Sequence, residues 1–256
     1  MSDSLPPNNV SALQVTDLNK HYKGAAKAAV AGLSFAVGQG EIFGLLGPNG
    51  AGKTTAISIM STLLKPDRGN VQIMGQDINR YATKAKTVLG LVPQDIALYQ
   101  EMTVLENLNF FGKMHGYSGE ELSDRVAEVV DFVSIADHAQ KLIVNCSGGI
   151  QRRANLAAGI IHQPSLLFLD EPTVGIDAQS RNLILEKLID RKEAGMALVY
   201  TTHYMEEAEQ ICDRIMIMDQ GQELVVGTPA QLLAANPDCN SLQDLFFKLT
   251  GKNLRD

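Results

Sequence analysis

One segment constrains this chain more than any other: Gly47-Pro48-Asn49-Gly50-Ala51-Gly52-Lys53-Thr54 has the G-x4-G-K-T spacing of a phosphate-binding loop. Such a loop needs a strand before it and a helix after it, because its glycines must let the backbone curl until successive N–H groups and a helix N-terminus face one phosphate. Both flanks are present. Ile42 to Leu46 (IFGLL) is a short, continuous apolar run, and Thr54 to Leu64 carries helical spacing. Lys53 supplies a cation, the Thr54 hydroxyl can ligate Mg²⁺, and Thr55 is the next hydroxyl in the phosphate-side set.

Further runs of the same kind, Leu166 to Leu169, Ala197 to Thr201 and Ile215 to Met218, are separated by helix-length segments such as Gln179 to Glu193. Unbroken apolar runs suit strands covered on both faces, so parallel α/β layers are expected. Leu13 to Tyr22 and Ala28 to Val37 alternate more loosely and predict a small antiparallel sheet. Met102 to Ile161 differs again. Its apolar residues recur every three to four positions, with Gly116 and Gly119 as breakers, which predicts an all-helical insert. Arg214 to Met218 and Glu223 to Val226 form a strand pair turning at Asp219-Gln220-Gly221, and the chain from Thr228 predicts two helices.

Composition narrows the function. With 29 acidic against 22 basic residues, a formal charge of −7 and pI ≈ 5.3, the chain is poorly suited to bind nucleic acid through phosphate contacts. Its longest apolar run, Ala194 to Tyr200, falls far short of the roughly 20 residues of a membrane-spanning helix. Met1 to Asn9 shows neither a basic nor an apolar signal region. The three cysteines, Cys146, Cys212 and Cys239, lack C-x-x-C spacing and suggest a reducing compartment.

Two carboxylates, Asp170 and Glu171, end the apolar run Leu166-Leu167-Phe168-Leu169. Beside a phosphate loop, a strand-end Asp holds Mg²⁺, and the adjoining Glu can orient and deprotonate an attacking water. Ser147-Gly148-Gly149 precedes Gln151-Arg152-Arg153 and the apolar helix Leu156 to Ile161. Alone this is a flexible helix cap; beside the other motifs it is a second helix N-terminus able to take a phosphate.

Together these residues resemble the nucleotide-binding subunit of an ATP-binding cassette (ABC) transporter, of the type found in drug, lipid and polysaccharide exporters, with motifs in the family's order from Tyr22 to His203. The resemblance implies an α/β fold: a P-loop NTPase (RecA-like) core with an antiparallel β subdomain and an inserted all-helical subdomain. The expected division is a flexible tail at 1–9, the first part of the ATP-binding core at 10–95, the helical subdomain at 96–161, the second part of the core at 162–228 and C-terminal helices at 229–256. By the same resemblance Tyr22 stacks on adenine, and Gln94 contacts Mg²⁺ and water and senses the membrane partner. His203 contacts the γ-phosphate, and Gly175-Ile176-Asp177 matches the D-loop. Ser147, Gly148 and Gly149 match the signature that an opposing copy offers to ATP. The sequence departs from L-S-G-G-Q at two places, Cys146 and Ile150, although Gln151 follows. That departure predicts a weaker polar contact across the pair, which Ile150→Gln would strengthen.

The implied protein hydrolyses ATP with Mg²⁺, pairs with a second copy, and powers a separately encoded transmembrane permease from the cytoplasmic face of the membrane. Leu98, Tyr99 and Met102 are candidates for the groove that receives the permease. Three other readings remain: a non-transport ABC protein of translation or DNA repair, an importer subunit, and a regulatory module that binds ATP without turnover.

Overall fold

Short runs in which every residue is apolar need cover on both faces, and the fold supplies it. The computed structural model describes residues 11–251; the tail expected at 1–9 lies outside the described residues. β1 (Leu13–Lys20) and β2 (Val30–Val37) are followed by β3 (Ile42–Leu46), α1 (Lys53–Met60), β4 (Arg68–Ile73), β5 (Gln76–Asp77), α2 (Ile78–Val88) and β6 (Leu89–Val92). Then come α3 (Val104–Met114), α4 (Gly119–Phe132) and α5 (Gly148–Ile160), with 3-10 turns at Ala136–His138 and Ile143–Asn145. The chain closes with β7 (Leu166–Asp170), α6 (Ala178–Glu193), β8 (Ala197–Thr202), α7 (Met205–Ile211), β9 (Arg214–Asp219), β10 (Gln222–Gly227), α8 (Pro229–Ala234) and α9 (Leu242–Thr250).

Two sheets result. One is antiparallel, in the order β2-β1-β4-β5; the other runs β10-β9-β3-β8-β7-β6, parallel throughout except for the antiparallel edge strand β10. Side chains of the parallel sheet alternate between two cores. Ile42, Leu46, Leu167, Leu169, Leu198 and Tyr200 enter the core shared with α3, α4 and α5. Phe43, Leu45, Leu166, Phe168, Ala197 and Val199 enter the core shared with the antiparallel sheet. That is why these strands read as continuous apolar runs. Phe35 stacks on Phe43 with centroids 4.8 Å apart, joining the two sheets.

The expected fold class holds, with local corrections. The first strand stops at Lys20, so Tyr22 lies in the following loop. The helix after the phosphate loop stops at Met60 rather than Leu64, because Thr62 takes a left-handed backbone (φ 67°) and leaves Leu63 exposed. Strands β4 to β6 and helix α2 were not foreseen. Among the described residues, no helix is long and apolar enough to cross a membrane.

Candidate nucleotide site

The register of the parallel sheet places the chemistry. Val92 pairs with Leu169, Asp170 with Thr201, and Leu46 with Thr202, so these strands end in one row. Ligands of parallel α/β sheets bind beyond this carboxyl edge. The next residues out along the row are Gln94, Glu171, His203 and the phosphate loop.

The loop is braced by the turn that ends the neighbouring strand β9 at the same edge of the sheet. Gly221, in the turn between β9 and β10, donates its N–H to the Ala51 carbonyl at 2.8 Å and accepts from Ala31 N at 2.8 Å. Gly52 must be glycine: its φ is 107°, and a Cβ there would lie 2.1 Å from the Ala29 carbonyl oxygen. Gly47 and Ala51 are buried, Pro48 and Gly52 partly so, and Asn49, Gly50 and Thr54 face outward. The first N–H groups of α1 have no partners within the helix and point out with the loop. Lys53, 5% exposed, donates to the carbonyls of Gly47 (2.8 Å) and Pro48 (3.3 Å) and lies 3.3 Å from Glu171 Oε1.

Glu171 is clasped on its other oxygen by His203, with Nδ1 3.1 Å from Oε2. Burial raises the Glu171 carboxyl, but the His203 hydrogen bond and the Lys53 charge outweigh it and hold the carboxyl below its ordinary value. The backbone helps to aim it. Glu171 has φ 47°, a conformation costly for a side-chain-bearing residue, which turns the chain sharply at the end of β7. Thr201 steadies this bend: its hydroxyl accepts from Glu171 N (2.9 Å) and donates to Asp170 Oδ1 (2.8 Å). Thr201 was missed in the sequence, although a polar pair, Thr201-Thr202, inside a buried strand next to His203 was a signal.

Tyr22, 46% exposed, has its hydroxyl 3.4 Å from Thr55 Oγ1, so the aromatic ring stands beside the loop. Gln94 is exposed, and its carbonyl accepts a hydrogen bond from Arg152 of α5. Thr54, at the start of α1, and Asp170, at the end of β7, are hard oxygen donors along the carboxyl edge of the sheet, chemistry that suits a small dication completed by phosphate and water.

The second helix N-terminus is separate from this row. Ser147 caps α5, accepting from Ile150 N at 3.4 Å, and with Gly148 it faces outward. Gly149 packs beneath the start of α6: a Cβ there would lie 2.1 Å from Ser180 Oγ, and Asp177 caps that helix by accepting from Ser180 N at 2.9 Å. The expectation for Ile150 needs correction. Its side chain is 5% exposed and belongs to the chain's own core. Gln151 does not replace the missing outward amide either, since its Nε2 donates to the carbonyls of Ile143 (2.9 Å) and Cys146 (3.2 Å).

This fold and row of residues define a P-loop nucleoside triphosphatase. The sequence matches the family described as ABC transporter over residues 30–174, and the chain belongs to that family as an ATP-hydrolysing, ATP-binding component. Tyr22, Asp177 and His203 lie outside the matched span. Among relatives, the chain is 49% identical to the linearmycin resistance ATP-binding protein LnrL of Bacillus subtilis, over 86% of this chain and 70% of that one. It is 38% identical to a Nod factor export ATP-binding protein I of Sinorhizobium fredii, over 91% and 67%. Among solved structures, an ATP-binding subunit of an ABC transporter superposes with TM-score 0.84 at 26% identity, covering 94% of this chain and all of that one. A dimeric ATP-binding cassette in a post-hydrolysis state with ADP and Pi superposes with TM-score 0.78 at 26% identity, covering 84% and 98%.

Proposed function

We propose that this chain is the motor subunit of an exporter-type ABC transporter, in which two copies close around ATP and reopen on hydrolysis. The observation that carries the reading is the Lys53–Glu171–His203 chain of contacts beside the phosphate loop, together with an outward-facing second helix N-terminus at Ser147. Names given to the relatives, linearmycin resistance and Nod factor export, support the direction of transport.

In this reading Tyr22 offers its ring to adenine. The loop from Gly47 to Thr55 takes the phosphates on its N–H groups. An entering phosphate must take Lys53 over from its carbonyl and carboxylate partners, which frees Glu171 Oε1 to face the attacking water. Glu171, ionised at neutral pH, then accepts the water proton while His203 bears on the terminal phosphate. Thr54, Asp170 and Gln94 would hold Mg²⁺, which supplies charge neutralisation for the phosphates. Ser147, Gly148 and Gly149 of the second copy close the site, with Asp177 beside them. Hydrolysis removes the terminal phosphate that both copies hold, so the pair parts.

The surface expected for the permease is there in part. Leu98 is buried, whereas Tyr99 is exposed and packs edge-on against Phe110, and Met102 is partly exposed and lines with Phe110 a cleft of about 410 Å³. A second cleft of about 330 Å³, lined by Leu91, Pro93, Ala97, Phe111, His115 and His162, opens between β6 and the helical block next to Gln94. It lies where the ATP-binding core meets the helical block, close to Gln94, and this supports it as a second candidate place for a separate membrane subunit to dock.

Size-exclusion chromatography with light scattering on Glu171→Gln protein tests the reading. A monomer that becomes a dimer only with Mg-ATP is expected. A protein that binds ATP and stays monomeric at all concentrations contradicts pairing through the two half-sites.

A further inference from the structure

Glu207 is a charged residue only 3% exposed, and no step above uses it. Its two oxygens gather four partners, from the turn after β7, from β8 and from α6. Thr173 Oγ1 lies 2.9 Å from each oxygen; Tyr200 Oη and Thr202 Oγ1 donate to Oε2 at 2.6 and 2.9 Å. Arg181 Nε stands 3.3 Å from Oε1, an ion pair without hydrogen-bond alignment. A buried carboxylate is retained only when its partners are this complete. Burial, and then the charge of Glu207, push the Tyr200 hydroxyl well up, so it remains a donor.

Three of the four partners lie within a few residues of the proposed machinery. Thr202 directly precedes His203, and its Oγ1 also accepts from Tyr204 N at 3.0 Å. Thr173 follows Glu171 by two residues in a tight turn. Arg181 is one helical turn beyond Asp177, and its guanidinium covers the Tyr204 ring at 5.0 Å. These contacts tie α7, a helix of seven residues, to β8, to α6 and to the turn after β7.

We infer that Glu207 is a positioning residue for hydrolysis: it ties the segment carrying His203 to the loops carrying Glu171 and Asp177, so that the three move as one body when ATP enters. The inference rests on the roles proposed above for His203 and Glu171. It acts through His203, so the two substitutions are coupled.

The test is a double-mutant cycle on the full chain, Glu207→Gln with His203→Ala, reading kcat and KM for ATP separately. Thr202→Val and Arg181→Met serve as milder variants that carry the same test if Glu207→Gln folds poorly. Glu207→Gln is expected to lower kcat about tenfold or more while KM stays within about twofold, and to add less than about twofold on top of His203→Ala. Losses that multiply in the cycle, or a loss in KM with kcat kept, would reduce Glu207 to a brace for the fold. If His203→Ala alone leaves kcat unchanged, the reading of His203 fails and the inference with it; if His203→Ala is slow but Glu207→Gln acts independently, only the inference fails.

Discussion

The phosphate loop and the Ser147 turn are built on the same plan, a glycine-bearing turn feeding a helix N-terminus, yet they sit in opposite surroundings. The loop is backed by Gly221 and closed over by Lys53, Glu171 and His203, so one chain supplies its cation, its carboxylate and its imidazole. The Ser147 turn is not closed over in this way: the carboxylate beside it, Asp177, caps α6 instead. Its serine and first glycine face solvent, and its second glycine is wedged beneath Ser180. A helix N-terminus alone binds an anion weakly; it becomes selective when charged groups meet it from elsewhere. The contrast is what the proposal of a site shared between two copies rests on.

Substitutions in each half separate the two. Lys53→Ala removes the one buried cation of the loop and leaves the Glu171 carboxylate without it; phosphate-release assays should show a loss of at least about 10³-fold in turnover. Glu171→Gln keeps the shape of the site and removes the base, so kcat should fall by about 10²–10⁴-fold with ATP affinity kept, in the same assay. Turnover near the parent's would assign the base elsewhere. Gly149→Ala presses on Ser180 and tilts the signature turn; ATP affinity of the monomer should stay within about twofold while nucleotide-driven pairing, read by light scattering, weakens about tenfold.

Two smaller effects sharpen the comparison. Because Ile150 is buried, Ile150→Gln should cost about 1–3 kcal/mol in urea unfolding without strengthening the pair. A gain in pairing would restore the outward role first expected of that position. The Glu171 carboxyl is held below its ordinary value in the folded chain, so it contributes stability above the ordinary carboxylate range that is lost as pH falls through the folded value. Parent and Glu171→Gln proteins should therefore converge in stability in acid; a constant gap from neutral to acid pH would disconnect Glu171 from Lys53 and His203.

Much of this was legible in the chain. The loop, its flanking strand and its helix were readable because apolar run, glycine spacing and helical period agree at one place. The strand-end carboxylates and the Ser147 turn were picked out from the local pattern, whereas His203 came only from the family resemblance. β4 (RGNVQI) was not, since only Val71 and Ile73 are buried and its remaining residues are polar. Helix α2 is broken by a non-helical backbone at Tyr81, which blurs its period. Leu98 was placed on the surface because a local pattern cannot show that it joins the core shared with the helical block. Glu207 stood among Glu206 and Glu209 with nothing to distinguish it, because its partners come from residues 173, 181, 200 and 202 on other elements. Spacing along a chain carries local geometry well and long-range convergence poorly.

The central claim is that a working site takes its loop from one copy and its Ser147 turn from another. Mixing Lys53→Ala protein with Ser147→Arg protein tests this most directly, because each is defective in both sites of its own dimer while a mixed dimer keeps one intact site. Random pairing of equal amounts should restore about a quarter of the parent's ATP turnover. A mixture no faster than the two proteins assayed apart would contradict the composite site.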